Sequence, residues 1–416
     1  MPDFSRPLHD TWLLAGARTP WVDYCAALAA VSPTDLGIHA ARAAIARSGL
    51  APTAIGASVV ASMAHADFDA FVLPRHVGLY AGLDIAAPAI GVQRICGSGF
   101  EVLRQAADQI ALGYADAVLA VGTESMSRNP ICAYTHRSGF RLGAPVEFKD
   151  FLWEALDDPA ARVSMIQTAE NLARQYGIRR EAVDAYAARS FERAVHAQAQ
   201  GWFAEEIAPV TTQRFEREGY HDRGISLPRK ITTVDRDTHP KLSPLEVLAG
   251  LRTVYDGGVQ TAGNSAALVD GAAAMVVASG AVMRDAGRPP LARLAGAAAA
   301  GVPPEIMGIG PVPAIRQLLA ATGLSLSDIA LVEINEAQGA QVLACARALE
   351  LDESRLNVNG GSIALGHPLA ATGLRLTLTA ALELQRRGER YAIVSACVGG
   401  GQGMALLIEN PDFCKA

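Results

Sequence analysis

The chain alternates short apolar segments with alanine-rich segments, and this alternation limits the possible folds more than any other feature of the sequence. It occupies the first 122 residues and returns after about residue 272. Strands and helices that alternate at this spacing indicate crossover units and a mostly parallel, buried sheet. We therefore predict an α/β fold. The predicted strands are 12–17, 58–63, 91–95, 117–122, 272–279, 329–334 and 391–397; the predicted helices are 35–47, 100–112, 180–200, 312–321, 338–349 and 371–387.

One unit of this pattern occurs twice. Gly99 precedes a predicted helix and lies 23 residues before Gly122, at the end of the next strand. Gly373 has the same relation to Cys397, 24 residues later. Equal spacing between a glycine turn and a strand end predicts a duplicated α/β unit, although one short match could also arise by coincidence.

The region from about residue 124 to residue 250 differs from the rest of the chain. It has more charged residues, more aromatic residues and more prolines, and it contains the long predicted helix that Gly201 closes. We interpret it as an insertion. The predicted domains are a first half of residues 1–124 and 251–287, an inserted domain of 125–250, and a second half of 288–416.

Composition excludes several classes of function. The formal net charge is −6 and the sequence has no long basic run, which argues against a nucleic-acid surface. Nothing resembles a targeting peptide or an uninterrupted apolar span of 18 residues, so we expect a cytoplasmic protein with no membrane contact. The six cysteines form no CxxC pair, which predicts free thiols rather than disulfides or a metal cluster.

Cys96 is the first candidate for chemistry. It follows an apolar run and precedes Gly97-Ser98-Gly99 and a predicted helix. The positive end of a helix dipole favours a thiolate over a thiol, and the thiolate is the nucleophilic form. For a lone cysteine, however, inert packing in the core is the more common role.

His367 and Cys397 extend the candidate site. His367 lies between Gly366 and Pro368, a rigid turn that suits a base which must keep its orientation, although a core or capping histidine is the commoner case. Cys397 ends an apolar strand and enters Val398-Gly399-Gly400-Gly401. Glycines leave backbone N–H groups accessible, as an oxyanion hole requires, but a plain flexible turn fits this run equally well.

Asn335 follows the predicted strand 329–334, at the end of the strand where ligands collect in open α/β sheets. Taken alone, it is better explained as the cap of the next helix. The functional interpretation therefore depends on the whole set of residues.

Four motifs in this order resemble the signature of the thiolases: Cys96-Gly97-Ser98-Gly99, Asn335-Glu336-Ala337, Gly366-His367-Pro368, and the glycine-rich run from Cys397 to Gly403. The likeness covers nearly the whole chain. It implies a duplicated five-layer αβαβα core with the insertion as a CoA-binding loop domain. It also implies a homodimer or homotetramer that uses acyl-CoA, 3-ketoacyl-CoA and CoA as substrates, with no metal and no resident cofactor.

The resemblance also implies a role for each residue of the set. Cys96 would carry the acyl group, His367 would take its proton, and Cys397 would move the proton of the acetyl-CoA enolate. Asn335 would hold a water near the enolate oxygen, and the amides of Cys96 and Gly399 would stabilise the tetrahedral intermediate. The implied contacts with CoA are Ala262, Ser265, Met165, Met307 and Gln338.

The chain departs from the family pattern at three positions. Gln338 occupies the place of the usual phenylalanine, Ser164 the place where short-chain biosynthetic members often have histidine, and Ala266 the place of a serine. We expect these changes to affect the choice of acyl chain and not the reaction. Gln338 would suit a bulkier, branched or polar-tailed chain.

Two other functions are compatible with the same architecture. A ketoacyl-synthase-like condensing enzyme uses one cysteine with two histidines or with histidine and asparagine, so the second thiol at Cys397 argues against it. A non-catalytic carrier of acyl-CoA or lipid would have no use for a proton-shuttling thiol.

Overall fold

The computed structural model describes residues 4–64, 66–134 and 136–413. Its main element is one long mixed sheet, whose nine principal strands follow the order β7-β8-β9-β6-β1-β5-β4-β2-β3. In chain order these strands are β1 (Thr11–Arg18), β2 (Ala57–Ala61), β3 (Ala89–Gly91), β4 (Ala117–Glu124), β5 (Val269–Ser279), β6 (Ala292–Gly301), β7 (Leu331–Ile334), β8 (Tyr391–Val398) and β9 (Gln402–Glu409).

Eight longer helices accompany the sheet. They are α1 (Pro33–Ser48), α2 (Leu73–Ala81), α3 (Ser98–Ala111), α4 (Met165–Tyr176), α5 (Arg180–Ala199), α6 (Pro311–Thr322), α7 (Gly339–Leu349) and α8 (Leu369–Arg387). Shorter helices are Phe151–Glu154, Leu245–Ala249, Gly280–Asp285 and Ser362–Leu365.

The two halves of the sheet repeat one topology. The first half has the order β1-β5-β4-β2-β3, with β2 parallel to both β4 and β3. The second half has the order β6-β9-β8-β7, with β7 parallel to β8, and a parallel bridge from Val332 to Leu356 takes the place of β3. In each half, the penultimate strand in sequence follows a long helix. In the first half β4 follows α3, and in the second half β8 follows α8. The predicted duplication is confirmed.

The expectation of a mostly parallel sheet was wrong. Only three of the eight neighbouring pairs along the sheet are parallel. The last strand of each half, β5 or β9, inserts antiparallel between the first strand and the helix-linked strands. In the second half, β8 and β9 form a hairpin across a short connection. This is possible because antiparallel strands need no crossover helix.

Helices α3 and α8 form the central layer. Both pack against β4 in the first half, α3 also packs against β9 in the second half, and α8 packs against β8. Helix α1 covers the outer face of the first half and α6 covers that of the second. These layers give the predicted five-layer αβαβα core, with buried apolar residues on both faces of the sheet.

The central layer depends on close backbone contact. A Cβ atom on Gly99 would lie 2.7 Å from the backbone nitrogen of Gly373, and one on Gly373 would lie 2.4 Å from that of Phe100. A Cβ on Gly122 of β4 would lie 2.0 Å from the carbonyl oxygen of Ala370. The two glycines of the predicted repeat are therefore the points where α3 and α8 touch.

The principal sheet has no strand between Glu124 and Val269 among the described residues. Helices α4 and α5 and four small two-stranded sheets occupy this region, as expected for an insertion. The exact domain boundaries stay a prediction. The small sheets pair Ile131–Cys132 with Lys149–Asp150, Asp157–Asp158 with Val163–Ser164, Val210–Thr211 with Thr233–Val234, and Gln213–Phe215 with Arg223–Ile225. Short pairings are added to the principal sheet by Arg6–Pro7 and Val22–Asp23.

None of the helices in the described ranges is long and apolar enough to cross a membrane.

Several elements differ from the sequence-based assignment. The strand predicted at 91–95 is wrong, because β3 ends at Gly91 and Ile95–Gly97 forms a 3₁₀ turn. Strand β6 was missed because its alanines and glycines lack the β-branched residues that mark a strand. Strand β9 and helices α2 and α4 were also missed.

We expect Gly122→Ala to destabilise the protein, because the new methyl group would overlap the backbone of α8. Overpacking of this kind costs about 1–3 kcal/mol, and the backbone contact here allows little relief. The measurement is the thermal unfolding midpoint. Gly250→Ala is the matched control, since its Cβ would lie 3.5 Å from the nearest atom. Equal midpoints for the two variants would contradict the proposed close contact.

Candidate active site

Cys96 lies in a tight turn that leads into α3. The residue before it, Ile95, has a φ of 46°, which is a strained value for a β-branched side chain. Gly97 follows, and a Cβ there would lie 2.8 Å from the Val398 side chain. The turn therefore holds the Cys96 thiol at the N-terminal end of α3 and close to the end of β8.

The Cys96 thiol is buried, and two backbone amides lie close to it. Burial raises the pKa of Cys96 to about 11, against the opposing effect of the neighbouring amides of Gly399 and of Cys96 itself. The nearby carboxyl group of Glu124 raises the pKa further. The two amides predicted to form an oxyanion hole thus both lie close to the sulfur.

The glycine run after Cys397 lets Gly399 approach Cys96. Gly400 and Gly401 have φ values of 80° and 87°, so they turn the chain sharply from β8 into β9. A Cβ on Gly399 would lie 3.3 Å from the side chain of Ile95. The run is therefore an ordered turn and not a flexible loop.

His367 is held by contacts at three points. Its backbone nitrogen donates to the carbonyl oxygen of Ala267 at 2.9 Å. Its Nδ1 lies 2.6 Å from Oγ1 of Thr372, and its Nε2 lies 3.3 Å from Nδ2 of Asn335. Gly366 has a φ of 96° and provides the turn before the ring.

The hydrogen bonds of Asn335 assign the tautomer of His367. The Ser362 hydroxyl donates to Oδ1 of Asn335 at 2.6 Å, which turns the Asn335 Nδ2 group toward the imidazole. Because Nδ2 can only donate, Nε2 must accept, and the ring proton is on Nδ1, where it donates to Thr372. Nε2 therefore carries the unprotonated lone pair, which accepts from Asn335, and is the basic atom of the site.

Burial keeps this imidazole neutral. It lowers the pKa of His367 to about 3, and the buried cation of Arg375 adds to the effect. With the pKa of Cys96 raised, the resting pair at neutral pH is a thiol and a neutral imidazole.

Strands β7 and β8 bring Asn335 and Cys397 to the same edge of the sheet. The two strands are parallel neighbours, and the backbone nitrogen of Asn335 donates to the carbonyl oxygen of Ser395 at 2.8 Å. Cys397 is fully buried and packs with Met307, Ala337 and Met165. Burial raises the pKa of its thiol well above the usual value, and the neighbouring thiols of Cys96 and Cys345 add to the rise.

A mostly apolar cavity of about 390 Å³ opens onto Cys96 and His367. Of the residues predicted to contact CoA, four line it: Met165, Ser265, Met307 and Gln338. Ala262 does not, because it lies exposed in the turn Ala262–Asn264. Ser164 and Ala266, the two other departures from the family pattern, also line the cavity.

Sequence reasoning missed several residues that support the site. Thr372 and Ser362 orient His367 and Asn335, and Glu124 lies fully buried near Cys96, where burial raises its pKa to about 8. The Glu336 carboxylate accepts hydrogen bonds from Tyr186 and Ser190 of α5 and so ties the insertion to the core. For Ser362 and Thr372 the only signal in the sequence is that each is a hydroxyl residue five positions from His367.

Within the described ranges, no group of three or more His, Cys, Asp or Glu side chains could hold a metal ion. The absence of a metal from the reaction stays a prediction. The described cysteines are all free thiols, and Cys414 lies outside the described residues.

We expect alkylation of Cys96 by iodoacetamide to become faster with rising pH. Only the thiolate reacts, and below a pKa of about 11 its fraction grows about tenfold per pH unit. The measurement is the alkylation rate of the Cys96 peptide between pH 6 and 9.5, with Cys96→Ser identifying the peptide. A rate that is constant from pH 6 to 8 would instead indicate a resting thiolate–imidazolium pair.

Comparison with known proteins identifies the family. The family descriptions "Thiolase, N-terminal domain" and "Thiolase, C-terminal domain" match residues 11–281 and 288–410. The chain is 42% identical to the mitochondrial 3-ketoacyl-CoA thiolase of Bos taurus over 97% of its own length and 99% of the relative's. It is 39% identical to a beta-ketoadipyl-CoA thiolase of Acinetobacter baylyi over 97% and 100% of the two lengths.

The structural comparison agrees. The crystal structure of human mitochondrial 3-ketoacyl-CoA thiolase in complex with CoA superimposes with a TM-score of 0.92 at 40% identity, covering 97% of this chain and 99% of that one. Both halves of the fold and the four motifs of the site are thus part of a match over nearly the full length of both chains. The chain belongs to the thiolase family of acyltransferases.

Proposed function

We propose that this protein catalyses the reversible thiolysis of 3-ketoacyl-CoA by CoA, which gives acetyl-CoA and a shortened acyl-CoA. The observation that carries the proposal is the buried Cys96 thiol, which shares one cavity with the neutral base His367 and has the backbone amides of Gly399 and Cys96 close by. An acyl-transfer nucleophile needs such donors where the carbonyl oxygen becomes negative.

The first half-reaction forms an acyl-enzyme. Nε2 of His367 takes the proton of Cys96, and the sulfur attacks the 3-keto carbon, whose oxygen becomes negative beside the two amides. The bond between C2 and C3 then breaks, its electron pair moves to C2, and the acyl group stays on sulfur. Cys397 protonates C2, which releases acetyl-CoA.

The second half-reaction transfers the acyl group. The proton that His367 took from Cys96 passes to the Cys397 thiolate, and the free imidazole takes the proton of an incoming CoA thiol. The CoA sulfur attacks the thioester, the Cys96 sulfur leaves, and His367 protonates it. Condensation is the reverse sequence, in which Cys397 removes a proton from C2 of acetyl-CoA.

This scheme needs CoA only as a substrate and includes no metal or resident cofactor. The buried position of Cys397 supports its role, since a thiol with a high pKa is a suitable acid for a carbanion. Asn335 would orient a water toward the enolate oxygen, since its Nδ2 is already directed into the site at His367.

We also propose a cytoplasmic location and a role in fatty acid metabolism. The relatives named 3-ketoacyl-CoA thiolase support the role in fatty acid metabolism. The bovine and human relatives are mitochondrial proteins. Fractionation of cells that express the full chain decides the location, and recovery in an organelle fraction would contradict it.

We propose that the chain forms a homodimer through the outer edge of the sheet. Strand β3 is the outermost strand, and its Ile90 is exposed, as are Phe68, Phe71 and Ile85 nearby in the chain. Exposed apolar edges are normally covered by a partner, and a second copy could pair strand to strand. We expect sedimentation at twice the mass of one chain, or four times if dimers associate. Sedimentation as a single chain would refute this assembly.

We expect the two thiols to fail in different ways when replaced. Cys96→Ala should abolish the acyl-enzyme, because no nucleophile remains. Cys397→Ala should still accept an acyl group from acyl-CoA, yet lose thiolysis by about 10²–10⁴-fold, since general acid–base catalysis contributes that much. Intact-protein mass spectrometry after incubation with acetyl-CoA, with thiolysis of acetoacetyl-CoA in parallel, checks both. An acylated Cys96→Ala protein would overturn the assignment.

A further inference from the structure

Glu336 is a fully buried carboxylate with four hydrogen-bond donors around it. Its Oε1 accepts from Oη of Tyr186 at 2.8 Å and from Nδ2 of Asn357 at 3.0 Å. Its Oε2 accepts from Oγ of Ser190 at 2.7 Å and from the backbone nitrogen of Ile363 at 3.0 Å. A carboxylate only accepts, so all four donors are satisfied by this one side chain.

The four donors come from two parts of the chain that Glu336 joins. Two belong to α5 of the insertion, and two belong to the segment 357–363, which leads to His367. A Cβ on Gly361 would lie 2.2 Å from Cδ of Glu336, so this segment packs directly on the carboxylate. The Gly361 nitrogen also donates to Oγ of Ser190 at 3.1 Å. Glu336 therefore holds the segment 357–363 against α5.

This segment contains Ser362, the residue that orients Asn335. Ile363, whose nitrogen donates to Glu336, directly follows Ser362. The Ser362 hydroxyl donates to Oδ1 of Asn335 at 2.6 Å, and Nδ2 of Asn335 lies 3.3 Å from Nε2 of His367. A shift of the segment would move the Ser362 hydroxyl and release the Asn335 amide from its orientation.

His367 has two further contacts outside this segment. Its backbone nitrogen donates to the carbonyl oxygen of Ala267, and its Nδ1 contacts Oγ1 of Thr372. Loss of the Glu336 contacts should therefore disturb Asn335 more than the base. In the proposed reaction Asn335 serves the enolate oxygen, which forms only when the bond between C2 and C3 breaks, whereas His367 also serves acyl transfer.

We propose that Glu336 is a positioning residue that holds Ser362 against Asn335 and is itself held by α5 of the insertion. The proposal rests on the proposed thiolase activity and deepens it. It makes the group that serves the enolate depend on the insertion, although neither Glu336 nor its partners Tyr186 and Ser190 are among the described residues that line the cavity.

The test compares two reactions of each variant. Thiolysis of acetoacetyl-CoA passes through the enolate, whereas acetyl transfer from acetyl-CoA to dephospho-CoA uses Cys96 and His367 and forms no enolate. Glu336→Gln places an amide Nε2 against two donors and so shifts the segment. We expect kcat for thiolysis to fall about ten- to a hundredfold, the effect of a small misplacement in a site, and acetyl transfer to change less than about threefold. Asn335→Ala should show the same selective loss.

A double variant determines whether Glu336 acts through Asn335. In the Asn335→Ala background, Glu336→Gln should lower thiolysis by less than about threefold, since substitutions in one hydrogen-bond network are not additive. Losses that multiply in the double variant would overturn the proposal.

Tyr186→Phe tests the contribution of α5 with a milder change. It removes one donor to Glu336 and leaves the carboxylate in place. We expect a smaller loss with the same selectivity for thiolysis, and this variant also serves if Glu336→Gln does not fold. Equal losses of thiolysis and acetyl transfer in a folded Tyr186→Phe protein would overturn the proposal.

Glu333→Gln is the matched control. Glu333 is a buried carboxyl group on β7, three residues before Glu336, and its Oε2 has no hydrogen-bond partner in the described part of the chain. Burial raises the pKa of Glu333 to about 8, so the neutral side chain at pH 7 resembles glutamine. We expect the ratio of the two reactions to stay unchanged.

The remaining outcomes separate the proposal from the proposed function. A wild-type protein that catalyses thiolysis, with a Glu336→Gln variant that loses both reactions equally or neither, would overturn the positioning role alone. The same selective loss in Glu333→Gln would also overturn it. No thiolysis by the wild type would overturn the proposed function, and the positioning role with it.

Discussion

The close contact between α3 and α8 determines where the active site can form. Cys96 lies three residues before Gly99, and His367 lies six residues before Gly373, and these two glycines are the contact points of the helices. Because the backbones touch, the N-terminal ends of both helices converge at one place. The first half of the duplicated fold thus supplies Cys96, and the second half supplies His367, Asn335 and Cys397.

Burial determines the chemistry of the groups that meet there. It raises the pKa of Cys96 and lowers that of His367, so the resting site holds no separated charge. The backbone amides of Gly399 and Cys96 lie close to the sulfur. Stabilisation is thus reserved for charge that forms during the reaction, which is the condition for lowering the barrier instead of only binding the substrate.

The parts of this structure that could be predicted from the sequence are those encoded locally. Apolar runs and alanine-rich helices fix the element types, and the glycine-flanked Cys96 and Cys397 mark the site. Strand β6 gave no such signal, since AGAAAAG resembles a helix more than a strand. The antiparallel insertion of β5 and β9 depends on tertiary packing, and so do the contacts of Thr372 with His367 and of Ser362 with Asn335.

The substrate preference is harder to predict than the reaction for a physical reason. The reacting groups come from short motifs at strand and helix ends. The residues of each motif largely determine its local geometry. The cavity wall instead combines the insertion, through Trp153 and Met165, with the core, through Met307 and Gln338. A single substitution there changes the match to an acyl chain without disturbing the thiols. The fold can therefore keep its thiols in place while residues of the wall differ.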